Sequence, residues 1–221
     1  MSAPAPHADV SAMGRRVAAA IAAIGWLALA LQLTVSITML TSDGHSLAGA
    51  VWRYLGYFTI LTNLIVAVTM TRVAQGRWPG GTLPDVPAIT GVVLTIAIVC
   101  VTYDLLLSGR VPAMGPLWWT ADRLLHYVVP VLSVGWWLVW VPKQALGAAH
   151  PPRWLIFPAL YLVYAIVRGA VDGWYPYYFI DAGALGYAQT LTNALVLSAA
   201  MLVAGYVVVG VVALTRGRRD S

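Results

Sequence analysis

Apolar positions along this chain fall into six long runs separated by short polar stretches. The runs cover Val17–Met39, Val51–Thr71, Ala88–Leu107, Leu117–Val141, Trp154–Val171 and Leu185–Leu214. A helix needs about 20 mostly apolar residues to cross a bilayer, and each run is near or above that length. Within each run the apolar positions are continuous rather than alternating, which excludes the strands of a membrane barrel. The pattern predicts an all-α, polytopic membrane protein, with one six-helix transmembrane bundle over residues 15–215 and no soluble domain. Met1–Gly14 is rich in Ala and Pro and reads as a disordered tail, and residues 216–221 read as a basic tail. Arg15 and Arg16 before the first run resemble the start of a signal peptide. That run is longer than the ~7–15 residues of such a segment, and no small-residue site closes it, so it reads as a retained helix.

Composition narrows the picture. Of 221 residues, 60% are hydrophobic and 10% charged, against about 25% charged in soluble domains. This excludes a soluble globular enzyme, a disordered chain and a coiled coil. The single cysteine, Cys100, excludes a disulfide framework and a structural zinc site within one chain. Neither HExxH, paired-Cys spacing nor a glycine-rich phosphate loop occurs, so no metal and no cofactor is predicted; Gly80-Gly81 reads as a turn. The excess of basic residues is a membrane signal rather than a nucleic-acid one, because these residues flank the apolar runs.

Lys and Arg favour cytoplasmic loops. Nine of the thirteen (Arg15, Arg16, Arg72, Arg77, Lys143, Arg153, Arg216, Arg218, Arg219) share one side if the chain enters N-terminus-in. Both termini are then cytoplasmic, in a multi-pass protein of the cell (plasma) membrane. The remaining four, Arg53, Arg110, Arg123 and Arg168, fall at outward helix ends, with Asp43, Asp104, Asp122, Asp172 and Asp181.

That outer half holds the candidate chemistry. Ionisable groups in a bilayer cost several kcal/mol unless paired or hydrated, and they normally face the bundle interior. Counting ~1.5 Å per residue from the outer ends of straight helices puts Thr59 and His126 level, each roughly 12–13 Å down, with Asn63 a turn deeper. Asp122 and Arg123 precede His126 by four and three residues, so all three share a helix face. Arg53, Asp104 and Arg168 ring the zone above, and helix 6 adds Gln189 and Asn193. Pro130 lacks an N–H, which in an α-helix frees the carbonyl of His126. Tyr57-Phe-Thr-Ile-Leu-Thr-Asn63 is echoed by Tyr187-Ala-Gln-Thr-Leu-Thr-Asn193 on another inward-running helix.

A threonine hydroxyl is a weak nucleophile that needs a base, and histidine is suited to that task. Asp122 would orient the ring, Asn63 or Asn193 would donate to an oxyanion, and the outer arginines would hold an acidic head group. The apolar walls suit an acyl chain. These parts describe hydrolysis of a membrane lipid or fatty-acid ester. Each residue also has a plainer reading: histidine and asparagine as interhelical hydrogen bonds, threonine bonded back to its own helix, the charges as packing ion pairs. Asp172-Gly-Trp-Tyr-Pro-Tyr-Tyr178 reads as an interfacial aromatic belt or as a lid.

Arg53-Tyr-Leu-Gly-Tyr-Phe-Thr-Ile-Leu-Thr-Asn63, Leu124-Leu-His-Tyr-Val-Val-Pro130 and Gly173-Trp-Tyr-Pro-Tyr177 resemble marks of the bacterial branch of the androgen-induced, androgen-dependent six-pass membrane proteins. The resemblance implies a six-helix bundle with cytoplasmic termini. Eukaryotic members of that family hydrolyse fatty acid esters of hydroxy fatty acids with an intramembrane Thr and His, which map here to Thr59 and His126. The Thr-to-amide spacing is one residue longer than in the family, which makes Thr62 a rival nucleophile, and the His-to-Pro spacing is one residue shorter. Two other classes stay open. A small-solute transporter or channel would use the polar ring as a vestibule. A non-catalytic scaffold or regulator would bind a membrane partner through small residues such as Ala18, Ala22, Gly205 and Gly210.

Overall fold

The computed structural model describes residues 10–76, 86–110, 114–143 and 146–217. Arg77, the Gly80-Gly81 turn, Arg218, Arg219 and the first nine residues lie outside the described residues. The described chain is helical, with no strand. Its helices are α1 (Ala12–Ser42), α2 (Leu47–Tyr54), α3 (Phe58–Ala74), α4 (Val86–Thr102), α5 (Pro116–Arg123), α6 (Val129–Trp140), α7 (His150–Trp154), α8 (Ile156–Asp172) and α9 (Ala182–Gly217). Among the described residues five helical segments are long and apolar enough to cross a membrane, or six if the bent pair α2–α3 counts as one span.

Three departures from the sequence reading matter for the site. First, α1 begins at Ala12, inside the stretch assigned to a tail. Ser11 accepts the Gly14 N–H at 3.1 Å and caps it, and the Gly14 carbonyl takes the Trp136 indole N–H at 2.8 Å. Secondly, the second span is not straight: α2 meets α3 at 77° across Leu55–Tyr57. The break is held from outside, by Tyr161 donating to the Gly56 carbonyl at 2.9 Å and Tyr164 to that of Leu55 at 3.3 Å. Thr59 is therefore the second residue of α3. It owes its place to where α3 starts, not to depth along a straight helix. Thirdly, α4 continues into a π turn at Tyr103–Leu107, and α5 joins α6 through another at Leu124–Val128.

Small residues let α1 approach α3. Ala18, Ala22, Gly25 and Ala28 are buried on one face of α1, and a Cβ on Gly25 would meet the Ala67 Cβ at 3.4 Å. The main apolar core is built largely from α1, α3, α4 and α6, and Phe58 at the start of α3 packs against it. It contains Ile21, Val66, Met70, Ile96, Val129 and Trp136. Exposed apolar side chains such as Val163, Val171, Leu195 and Val203 cover α8 and α9, as suits a surface solvated by lipid tails.

Candidate functional site

The site is built where α3 begins and the two π turns meet. A π turn holds one residue more than regular winding, and such turns recur at functional sites. At Leu124–Val128 the Val129 N–H reaches back to the Leu124 carbonyl. This winding changes which backbone group a side chain captures. Asn63 Nδ2 donates to the Leu125 carbonyl at 3.3 Å and to that of Thr59 at 2.9 Å. The captured carbonyl is thus Leu125's, not that of His126, which α-helical counting from Pro130 singles out.

His126 is closely held. Its Nδ1 lies 3.0 Å from the Asp122 carboxylate and 3.0 Å from the Asp122 carbonyl. Both partners are acceptors, so Nδ1 carries the hydrogen and Nε2 is left with its lone pair. The Tyr103 ring stacks on the imidazole at 3.7 Å between centroids, and its hydroxyl donates to the same carboxylate at 2.9 Å. Asp122 is buried. Three groups from two π-wound helices thus fix one ring.

Thr59 and His126 line a common polar cavity of about 370 Å³, with Tyr103, Asp122, Arg53 and Tyr177 also on its wall. A second cavity, about 320 Å³ and lined almost throughout by apolar groups, lies between α3, α4, α8 and α9. Thr59, Tyr103, Leu107 and Tyr177 line both. Leu191 and Leu195 of α9 line the apolar cavity and are also exposed, Leu195 by 71%. That cavity therefore reaches the lipid-facing surface. The Thr59 N–H donates to the Tyr177 hydroxyl at 3.3 Å. Burial pushes the Tyr177 phenol up to about 12, against the opposing pull of the backbone N–H groups of Thr59 and Phe58. Thr62 faces a different cavity, beside Trp154, and its buried hydroxyl has no partner.

The other sequence candidates are placed differently. Arg53 lines the polar cavity and lies over the Trp174 ring at 5.3 Å. Arg168 is a buried clamp. It bonds Asp172 at 3.3 Å and the Tyr164 hydroxyl at 3.0 Å, and packs 4.3 Å from Trp52; its Nη2 is unpartnered. Arg123 lies over Trp119 and Tyr127 at 5.6 and 5.1 Å. Asp104 is exposed and accepts the Tyr127 hydroxyl at 2.9 Å. Asn193 Nδ2 donates to the Phe179 carbonyl at 2.9 Å, and its Oδ1 accepts from Gln189 at 2.9 Å. The echoed asparagines thus share a use, tying a helix to backbone elsewhere; both Nδ2 hydrogens of Asn63 are committed to carbonyls. Arg123, Arg168, Asp104, Asn63 and Asn193 are not on the polar cavity wall.

Tyr103 was not singled out by the sequence, and Tyr177 only within the aromatic stretch Asp172–Tyr178 and without a role at Thr59. Both are neutral, and a search for charge and for acid–base pairs passes over them. Among the described residues no three of His, Cys, Asp and Glu converge in a way that would hold a metal ion. No protein-family model matches this chain, and neither the curated proteins nor the solved structures give a match.

Proposed function

We propose that this chain is an integral membrane hydrolase of lipid esters, with six spans and both termini in the cytoplasm of a cell whose plasma membrane it occupies. One observation carries the reading: Thr59 lies on the wall between a cavity holding a buried Asp–His pair and an apolar cavity open to lipid. The acyl chain lies in the apolar cavity and the polar half of the ester in the other, near Arg53. The ester carbonyl is then brought to Thr59.

Thr59 Oγ1 attacks that carbonyl, and His126 Nε2 takes the hydroxyl proton. Asp122, fixed by Tyr103, holds the ring in the required tautomer and stabilises its charge. Collapse of the tetrahedral species expels the alcohol, which leaves with the proton from Nε2 and an acyl-Thr59 behind. A water deprotonated by His126 then attacks the acyl-threonine, releasing the fatty acid and restoring the hydroxyl. The Thr59 hydroxyl closes on His126 Nε2 when substrate binds, as catalytic hydrogen bonds often tighten on binding.

The packing favours this over the rival classes. Val66, Met70, Ile96, Val129 and Trp136 are buried below the site, so a polar path to the inner side is closed by apolar side chains. Ala18 and Ala22 pack inside the bundle and Gly205 packs on Pro151 and Trp154, which leaves only the exposed Gly210 of the four small residues open to a partner.

The test is hydrolysis of p-nitrophenyl esters with chains of increasing length by the purified protein in detergent and in liposomes. Thr59→Ala and His126→Ala are expected to lose turnover by roughly a hundredfold or more, and mass spectrometry should find the acyl adduct on Thr59. Normal turnover in both variants ends the reading.

A further inference from the structure

The loop that follows α8 places one phenol against the proposed nucleophile. Gly173–Asp181 joins α8 to α9, and Asp172 anchors its start by accepting the Trp174 N–H at 3.0 Å and the Trp52 indole N–H at 2.9 Å. Arg168 packs against Trp174 at 5.0 Å from below. Tyr177 is further held by Tyr57, edge-on at 5.9 Å, and by Phe179, stacked at 5.3 Å. Its hydroxyl is thereby delivered to Thr59.

Resting on the hydrolase reading, we propose that Tyr177 is a positioning residue that sets the orientation of the Thr59 hydroxyl at the junction of the two cavities. The phenolic oxygen accepts the Thr59 amide hydrogen. Its own hydrogen is therefore the one available to Thr59 Oγ1. That bond occupies one lone pair of Oγ1 and leaves the threonine hydrogen free to turn toward His126 Nε2. The remaining lone pair faces the carbonyl. Without the phenol, the Thr59 hydroxyl has no fixed donor to orient it. The same ring lines both cavities, so it also fixes where the acyl and polar halves of the ester divide.

Tyr177→Phe removes one oxygen and keeps the ring packing. Against p-nitrophenyl esters it is expected to lower kcat about tenfold, the worth of one neutral hydrogen bond, with KM and melting temperature unchanged. The rate of labelling by a fluorophosphonate probe at Thr59 should fall in parallel. Tyr178→Phe, next in the chain but half-exposed and lying on Arg110 at 4.7 Å, should behave as the parent protein. A lower melting temperature and less probe-reactive protein, with kcat per labelled site intact, would mean that Tyr177 only holds the loop, and overturns the proposal. Unchanged kcat and labelling in Tyr177→Phe, alongside lost activity in Thr59→Ala and His126→Ala, overturns it while the hydrolase reading stands. Absence of hydrolysis and labelling in the parent protein overturns both.

Discussion

Asp122 is the residue on which the site geometry turns, because its carboxylate receives the His126 ring and the Tyr103 hydroxyl together. Asp122→Asn keeps the shape but replaces an oxygen by an N–H donor, so one of the two bonds is lost and no carboxylate charge is left to stabilise the imidazolium that forms. Ester turnover should fall by about a hundredfold or more, with helicity by circular dichroism unchanged. Asn63 acts differently. Its Nδ2 joins α3 to the Leu125 carbonyl while its Oδ1 is buried without a partner. Asn63→Ala should cost about 1–3 kcal/mol by stranding that carbonyl, read as a lower melting temperature in detergent. Tyr177 gives a pH signature. Its folded value, about 12, lies above the ordinary 10.0, so the unfolded phenol ionises first. The stabilisation is complete below about pH 10 and declines as pH rises toward 12. Melting temperatures at pH 9 and 11 should differ less in Tyr177→Phe than in the parent protein. The i, i+4 spacing of Asp122 and His126 was legible in the sequence because it is local. Tyr103 was not: its neighbour Asp104 carries the charge, yet Tyr103 faces inward while Asp104 accepts from Tyr127 at the surface. That difference of one position is set by the winding of α4, which no count of charges reveals.

At the scale of elements, the apolar runs located the spans because burying backbone polar groups in lipid leaves helices as the only continuous solution. The interruptions escaped notice because tertiary partners impose them. Tyr161, Tyr164 and Arg168, about a hundred residues away in sequence, surround the break between α2 and α3. A Cβ on Gly56 would strike the Arg168 guanidinium and the Trp174 ring. Gly56→Ala is thus expected to destabilise by about 1–3 kcal/mol through overpacking, measured by thermal unfolding, and to move Trp174 in a fluorescence spectrum. The π turn at Leu124–Val128 is supported by Pro130, which supplies no N–H to compete for the carbonyls behind it. Pro130→Ala returns a donor and favours regular winding. Helix content should hold, while ester turnover and probe labelling fall as the His126 side of the helix rotates.

At the scale of the whole molecule, the two cavities that adjoin at Thr59 lie toward one end. The connections Asp43–Ser46 and Gly173–Asp181, with Ser108–Arg110, lie at that end, while Gly76 and Arg153 mark the other. With Cys100 replaced by Ala, single cysteines at Ser42, Ser108 or Gly173 should react with a membrane-impermeant maleimide on intact cells, and those at Gly76 or Arg153 only after lysis. The reverse pattern contradicts the N-terminus-in topology. Sequence alone gave this division a rough outline, since polar residues crowd one half of the runs. It gave no sign of two adjoining cavities, which depend on how far α8 and α9 stand from α4. The mouth of the apolar cavity opens through α9 sideways, not upward into water. What fills it is therefore drawn from a two-dimensional solution, and the governing concentration is mole fraction in the leaflet. Adding inert phospholipid at fixed bulk ester should slow the reaction by surface dilution, whereas adding buffer should leave its rate per molecule unaltered.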